Sequence, residues 1–166
     1  MKVLSSFLLL IFFAAAALAQ RTEKETGAEL VAGKGLGVVS LGAKRKTIEE
    51  VLEQGENRSK YEDVYFVDYP KKGIQISYTN KTDEAYTIFF YNNQKRYENF
   101  VTPAVRTDKG ITWSSTPEEV IKAYGKPEND FKDESGNNSW RRLEYKGIDF
   151  LYQFGEMKRI GIHTEK

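Results

Sequence analysis

Two stretches of this sequence, about 70 residues apart, carry the same pattern, and a unit that occurs twice buries its apolar face by packing against its copy. The first runs Thr47-Ile48-Glu49-Glu50-Val51-Leu52 and then Gly55; the second runs Thr116-Pro117-Glu118-Glu119-Val120-Ile121 and then Gly125. Each reads as a short helix. Thr47 and Thr116 can accept from the third helical amide while Glu50 and Glu119 reach back to the cap residue, so a capping box is expected in both. Pro117 suits a first helical position, where its missing N–H costs nothing. Gly55 and Gly125 stand where a helix end takes a left-handed residue.

Downstream, Gly73-Ile74-Gln75-Ile76-Ser77-Tyr78 matches Gly147-Ile148-Asp149-Phe150-Leu151-Tyr152. Both alternate with period two and predict strands. Lys72-Gly73 and Lys146-Gly147 read as two-residue hairpin turns. That register sets Tyr145 opposite Ile148 and Leu143 opposite Phe150, and likewise Tyr69 opposite Ile76 and Val67 opposite Tyr78. A closing strand is expected at Tyr86 to Tyr91 and another at Arg159 to His163. The fold class predicted is therefore α+β: two tandem helix-plus-antiparallel-meander repeats, residues 37–95 and 104–166, forming one sheet and one domain with helices on one face. Residues 92–109 read as a polar connection, and residues 20–36 as a flexible lead-in with little to bury.

The same register assigns the faces. Val67, Tyr69, Ile76, Tyr78, Ile88, Phe90, Leu143, Tyr145, Ile148, Phe150, Tyr152, Ile160 and Ile162 form the core side, roofed by Val51, Leu52, Val120, Ile121 and Tyr124. One helix per copy can cover only one face of an antiparallel sheet. The other face then carries Phe66, Phe89, Tyr91, Trp140 and Arg142, together with Val64, Leu151, Arg159 and His163. Aromatic residues with arginine are the composition of protein-binding surfaces. Those five side chains are the candidate contact residues.

The N-terminus has the parts of a secretory signal. Lys2 precedes an apolar run from Phe7 to Leu18, and Ala17-Leu18-Ala19 offers a small-x-small cleavage site before Gln20. The run is shorter than the roughly 20 residues a membrane span needs. Export of a chain without residues 1–19 follows as the expectation, to a secreted or periplasmic location. The sequence has no cysteine, which excludes both disulfides and a lipid anchor on cysteine. With 25 basic and 24 acidic side chains, it lacks the basic excess of a nucleic-acid-binding protein.

Two copies of T-x-E-E-V…G followed by G-I-x-[IF]-x-Y, after a signal peptide, resemble the tandem-repeat superfamily of the beta-lactamase inhibitory protein and BamE. The resemblance spans roughly residues 37–166 and rests on fold-level punctuation. It implies a continuous antiparallel sheet whose open face holds another protein. The disulfides of the inhibitors and the lipidated cysteine of BamE have no counterpart here, so neither specific activity carries over.

Reactive chemistry finds little support. His163 is the single histidine, and no nucleophile elbow accompanies it; Trp113-Ser114-Ser115 lacks the flanking glycines. Glu49-Glu50 and Glu118-Glu119 are explained by capping. Asp130 to Asn138 is acidic, but aligning Gly136 with the invariant glycine of a calcium loop puts Phe131 at the first ligand position, so it reads as a turn between strands. Gly33-Lys34-Gly35-Leu36-Gly37 lacks the ending and the helix of a phosphate loop. Three Asn-x-Ser/Thr sequons, at Asn57, Asn80 and Asn137, matter only in a glycosylating host. No catalytic residue, metal ligand or cofactor site is assigned. The function expected is an exported protein- or peptide-binding module; the alternative is a small envelope hydrolase or polysaccharide-binding protein.

Overall fold

The computed structural model describes residues 29–92, 100–133, 135 and 139–165. The predicted signal peptide, and the lead-in as far as residue 28, lie outside the described residues.

A two-residue ladder opens the fold, β1 (Gly35–Leu36) against β2 (Val39–Ser40), followed by α1 (Arg45–Leu52). Four strands come next: β3 (Glu56–Lys60), β4 (Val64–Tyr69), β5 (Ile74–Thr79) and β6 (Ala85–Tyr91). Then come α2 (Pro117–Tyr124), β7 (Asn129–Asp133), β8 (Trp140–Tyr145), β9 (Ile148–Gln153) and β10 (Glu156–His163). All eight later strands form one antiparallel sheet in the order β3-β4-β5-β6-β10-β9-β8-β7. The last strand therefore pairs with β6 at the centre, and β3 and β7 are left as the two edges.

This architecture corrects the expected α+β fold class of two helix-plus-meander repeats. Among the described residues the fold is mostly β, with 46% strand and 15% helix, two helices, one eight-stranded sheet and the small two-stranded one. The physical reason lies in the covering layer. Two eight-residue helices are too short to roof eight strands, so irregular chain completes the task. Leu30, Val105 and Ile111, with Val39 of β2, are buried in the same core as the strands of the large sheet. Trp113 packs on that core and donates its indole N–H to the Pro103 carbonyl at 2.7 Å. Leu30 comes from the segment read as having little to bury; its amide donates to Arg106 O at 2.9 Å.

The core side of the sheet is as the alternation predicts. Val67, Ile76, Tyr78, Ile88, Phe90, Leu143, Ile148, Phe150, Ile160 and Ile162 are buried together. The β8–β9 hairpin has the expected register, Leu143 opposite Phe150 and Tyr145 opposite Ile148. The β4–β5 hairpin does not: Tyr69 lies opposite Ile74 and Val67 opposite Ile76. Pro70–Lys72 forms a 3-10 turn ending on Gly73 at φ 66°, because Pro70 has no amide for the ladder and presets a turn. The connection thus takes four residues rather than two. A slip of two, unlike a slip of one, leaves every side chain on its face.

Two further expectations are corrected. The capping box at Thr47 does not form: α1 starts at Arg45, with Lys44 at its N-cap and no side-chain cap bond, and its C-cap is Glu53 rather than Gly55. Asp130–Asp133, read as part of a turn, belong to the edge strand β7. No helix among the described residues is long and apolar enough to cross a membrane.

Candidate functional site

The face of the sheet opposite the helices is ruled by strand pairing into rows. One row crosses all eight strands: Glu56, Asp68, Gln75, Phe89, Gly161, Asp149, Glu144 and Asn129. Beside it runs Tyr91, Arg159, Leu151, Arg142 and Phe131. On the other flank lie Phe66, Ser77, Thr87 and His163, and Trp140 opens a short row with Gln153 and Asp133.

All five predicted contact residues fall on this face, but not in one cluster. Phe66 on β4 and Trp140 on β8 are five strand spacings apart, about 24 Å at roughly 4.8 Å each. Phe66 packs edge-on against Tyr61 at 5.9 Å. Phe89 and Tyr91 sit together on β6, ring centroids 6.4 Å apart. Tyr91 is buried and meets Phe100 edge-on at 5.5 Å. Trp140 and Arg142 share β8, with the Arg142 guanidinium 5.4 Å from the Phe131 ring and ion-paired to Glu144.

The polar groups between the aromatics are tied in two networks. Asp68 is fully buried; it accepts from Arg58 Nε and, at 2.7 Å, from Gln75 Nε2, while Tyr91 OH donates to Gln75 Oε1 at 3.1 Å. Asp149, 5% exposed, accepts from Arg159 at 2.8 Å, and that guanidinium lies 4.6 Å from the Phe89 centroid. Gly161 makes the second network fit. A Cβ there would lie 2.2 Å from Asp149 Oδ1 and 3.2 Å from the Phe89 ring, so only a residue without a side chain lets the carboxylate settle between them.

Polar atoms remain unpaired on this face, in and beside these networks. Among the described residues, the buried side-chain nitrogen and oxygen atoms without a hydrogen-bond partner are Ser77 Oγ, Arg142 Nε and Arg159 Nε. All three belong to this face. Native proteins satisfy the large majority of such groups, so three orphans on one side of one sheet mark a surface with unmet bonding capacity.

Arg159, Asp149, Asp68 and Phe131 escape selection from sequence. The period-two pattern places the first three on the open face, but nothing in it distinguishes a buried aspartate from a solvated one. Phe131 sits in a segment too polar to read as a strand. The remaining chemistry stays dispersed. His163 Nδ1 lies 3.3 Å from the Thr164 carbonyl. Glu119 is engaged in the α2 cap, and Glu118 reaches Arg141 on the helix side at 3.2 Å. No group of three His, Cys, Asp or Glu side chains among the described residues is placed to hold a metal ion. A groove of about 410 Å³ opens between α1 and β3, lined by Arg45, Arg58, Lys60 and Tyr65 among others.

Among known proteins, no family model matches this chain, and no curated protein matches it. Among solved structures the chain is similar to the crystal structure of a DUF4309 family protein, YjgB, from Bacillus subtilis. The TM-score is 0.48 at 8% identity, over 80% of this chain and 88% of that one.

Proposed function

We propose that this protein is an exported interaction module whose sheet face opposite α1 and α2 holds a protein or peptide partner. The observation that carries the reading is the concentration of orphaned polar atoms, Ser77 Oγ, Arg142 Nε and Arg159 Nε, on the face that also presents Phe66, Phe89, Trp140 and Phe131. The Arg142 and Arg159 side chains as a whole are 39% and 20% exposed, so a partner can bring acceptors to their outer N–H groups, and hydrogen bonds to charged groups are among the stronger ones. The rings beneath the two guanidiniums hold them in place, and rigid arginine–aromatic pairs are favoured contact residues. The resemblance to the beta-lactamase inhibitory protein superfamily, whose mode of use is an open sheet face, points the same way. Export to the periplasm or exterior rests on the Lys2, Phe7–Leu18 and Ala17-Leu18-Ala19 pattern.

The test joins capture to mutation. The tagged protein is incubated with envelope and secreted fractions of its host, beside Trp140→Ala/Arg142→Ala and a helix-side control, Val51→Ala. Expected is one partner retained by wild type and by the control and lost by the double variant, with the circular dichroism spectrum unchanged. Equal capture by all three proteins overturns the reading. N-terminal sequencing of the exported chain should begin at Gln20; a chain that keeps residues 1–19 removes the export part.

A further inference from the structure

The two edges of the eight-stranded sheet are built differently. On β3 the ladder to β4 shifts between Asn57 and Ser59, leaving Arg58 as a bulge, and a bulged edge resists further pairing. On β7 the ladder to β8 is regular from Asn129 to Asp133, and all five residues are exposed. Edges of this kind are commonly blunted with charge. Here the charges alternate in sign around an aromatic: Asn129, Asp130, Phe131, Lys132, Asp133.

We infer that β7 pairs antiparallel with β7 of a second copy of this chain, about a two-fold axis through Phe131, joining the two sheets into one. This arrangement sets Phe131 opposite Phe131 of the second copy, Asp130 opposite Lys132 twice, and Asn129 opposite Asp133 twice. In-register parallel pairing would instead set Asp130, Lys132 and Asp133 each against its own kind, which is destabilising. The residues behind β7 favour the antiparallel choice. On the helix side of the strand Lys132 lies beside Arg141 within one chain, and Asp130 of the second copy flanks it from the other side. Asp130 is held by Arg141 through two bonds, 3.0 and 2.8 Å, and Arg141 also holds Glu118, so this carboxylate is fixed in place on the helix side of the strand. Phe131, 44% exposed, gains a ring to cover it on the other side.

The inference is independent of the partner-binding reading, since it concerns the sheet edge. Five paired residues make less than the standard 1,200–2,000 Å² interface, so the dimer should be concentration-dependent. Sedimentation equilibrium on the full chain from about 10 μM to about 1 mM, a span chosen for a weak interface, is the measurement. Wild type should dimerise. Lys132→Asp and Asp130→Lys should each weaken dimerisation by about tenfold or more, since two pairs become like-charged. An equimolar mixture of the two variants should restore it, because each then faces the opposite charge; restoration also shows that both variants are folded. Wild type that stays monomeric throughout the range overturns the inference. So does a dimer indifferent to Lys132→Asp, or a mixture no more associated than its components.

Discussion

The two helices carry nearly the same residues in the same order and are held by different means. In α2 the local signals act as written. Thr116 Oγ1 accepts from the Glu119 amide at 3.2 Å, Glu119 Oε2 accepts from the Thr116 amide at 2.9 Å, and the helix stops on Gly125 at φ 85°. In α1 distant chain acts instead. The Arg45 amide donates to Asp83 O at 2.9 Å, Lys44 bridges Glu84, and Lys44 Nζ meets the Glu84 carboxylate at 2.9 Å. The helix begins two residues before Thr47, and its buried stripe turns with it. Ile48 and Leu52 are buried while Val51 is 54% exposed; its counterpart Val120 is fully buried. A capping motif fixes a helix start only where no tertiary contact competes for the same backbone groups.

The largest expected effect tests that rotation. Ile48→Ala should cost about 2–5 kcal/mol, the usual range for truncating a fully buried aliphatic side chain. Val51→Ala should fall within about 0.5 kcal/mol, as surface changes do, while Val120→Ala should cost several times more than Val51→Ala. Urea unfolding midpoints at constant slope give all three. Equal losses at Val51 and Val120 would mean that the helices present the same face and that the difference drawn above is wrong.

Next comes alkaline pH. Beneath α1 the hydroxyls of Tyr69 and Tyr78 lie 2.7 Å apart, with Glu49 3.5 Å from Tyr69 OH; beneath α2, Tyr152 OH and Tyr145 OH donate to backbone carbonyls of Ser115 and Gly125. Burial pushes the Tyr69 phenol up to about 12, and it drives Tyr78 up as well. An unfolded tyrosine ionises near 10. Below pH ~10 both states are protonated and the stabilising term is intact. As pH rises from about 10 through the folded value, only the unfolded chain releases protons, so stability falls, by about 2–3 kcal/mol for Tyr69 alone. Tyr69→Phe should remove that part of the fall. A phenolate absorption band for Tyr69 in the folded protein near pH ~10, the unperturbed value, would contradict the buried pair.

These contrasts show what sequence could convey. Period-two alternation in β5, β6, β9 and β10 was legible because each strand has one apolar face, and it located both the core and the helix-free face with Phe66, Phe89, Tyr91, Trp140 and Arg142. The β8–β9 turn was legible because Lys146-Gly147 is a complete local signal. The Pro70–Gly73 connection was not, because a 3-10 turn competes with a two-residue turn in the same residues. The low helix content went unread because the covering role of Leu30, Val105 and Ile111 depends on contacts distant in sequence. Burial of Asp68 and Asp149 was illegible for a related reason: the room for Asp149 comes from Gly161 on the neighbouring strand.

A third, smaller effect separates the paired glutamates. Glu49 Oε1 accepts from Arg45 Nε at 2.8 Å and from the Gly55 amide at 3.2 Å, closing the C-terminal end of α1 where no glycine cap exists. Glu49→Ala removes the acceptor of the part-buried Arg45 Nε and of the Gly55 amide, and should cost about 1–3 kcal/mol. Glu118→Ala loses only a largely exposed pair with Arg141 and should cost under about 1 kcal/mol. If the two variants unfold at the same urea concentration, Glu49 is not the brace this geometry describes.

The smallest effect is the cleanest discriminator, because it uses one substitution at matched positions. Thr116→Ala deletes an N-cap hydroxyl that is bonded and should lower stability by about 1 kcal/mol. Thr47→Ala acts inside α1, two residues past its start, where alanine is the better helix former, so it should be neutral or slightly stabilising. A loss at Thr116 with none at Thr47 would establish that nearly identical motifs do different work here. A loss at Thr47 equal to that at Thr116 would place the start of α1 at Thr47 in solution. That in turn would require the Lys44–Glu84 bridge to open, which amide exchange at Arg45 would reveal.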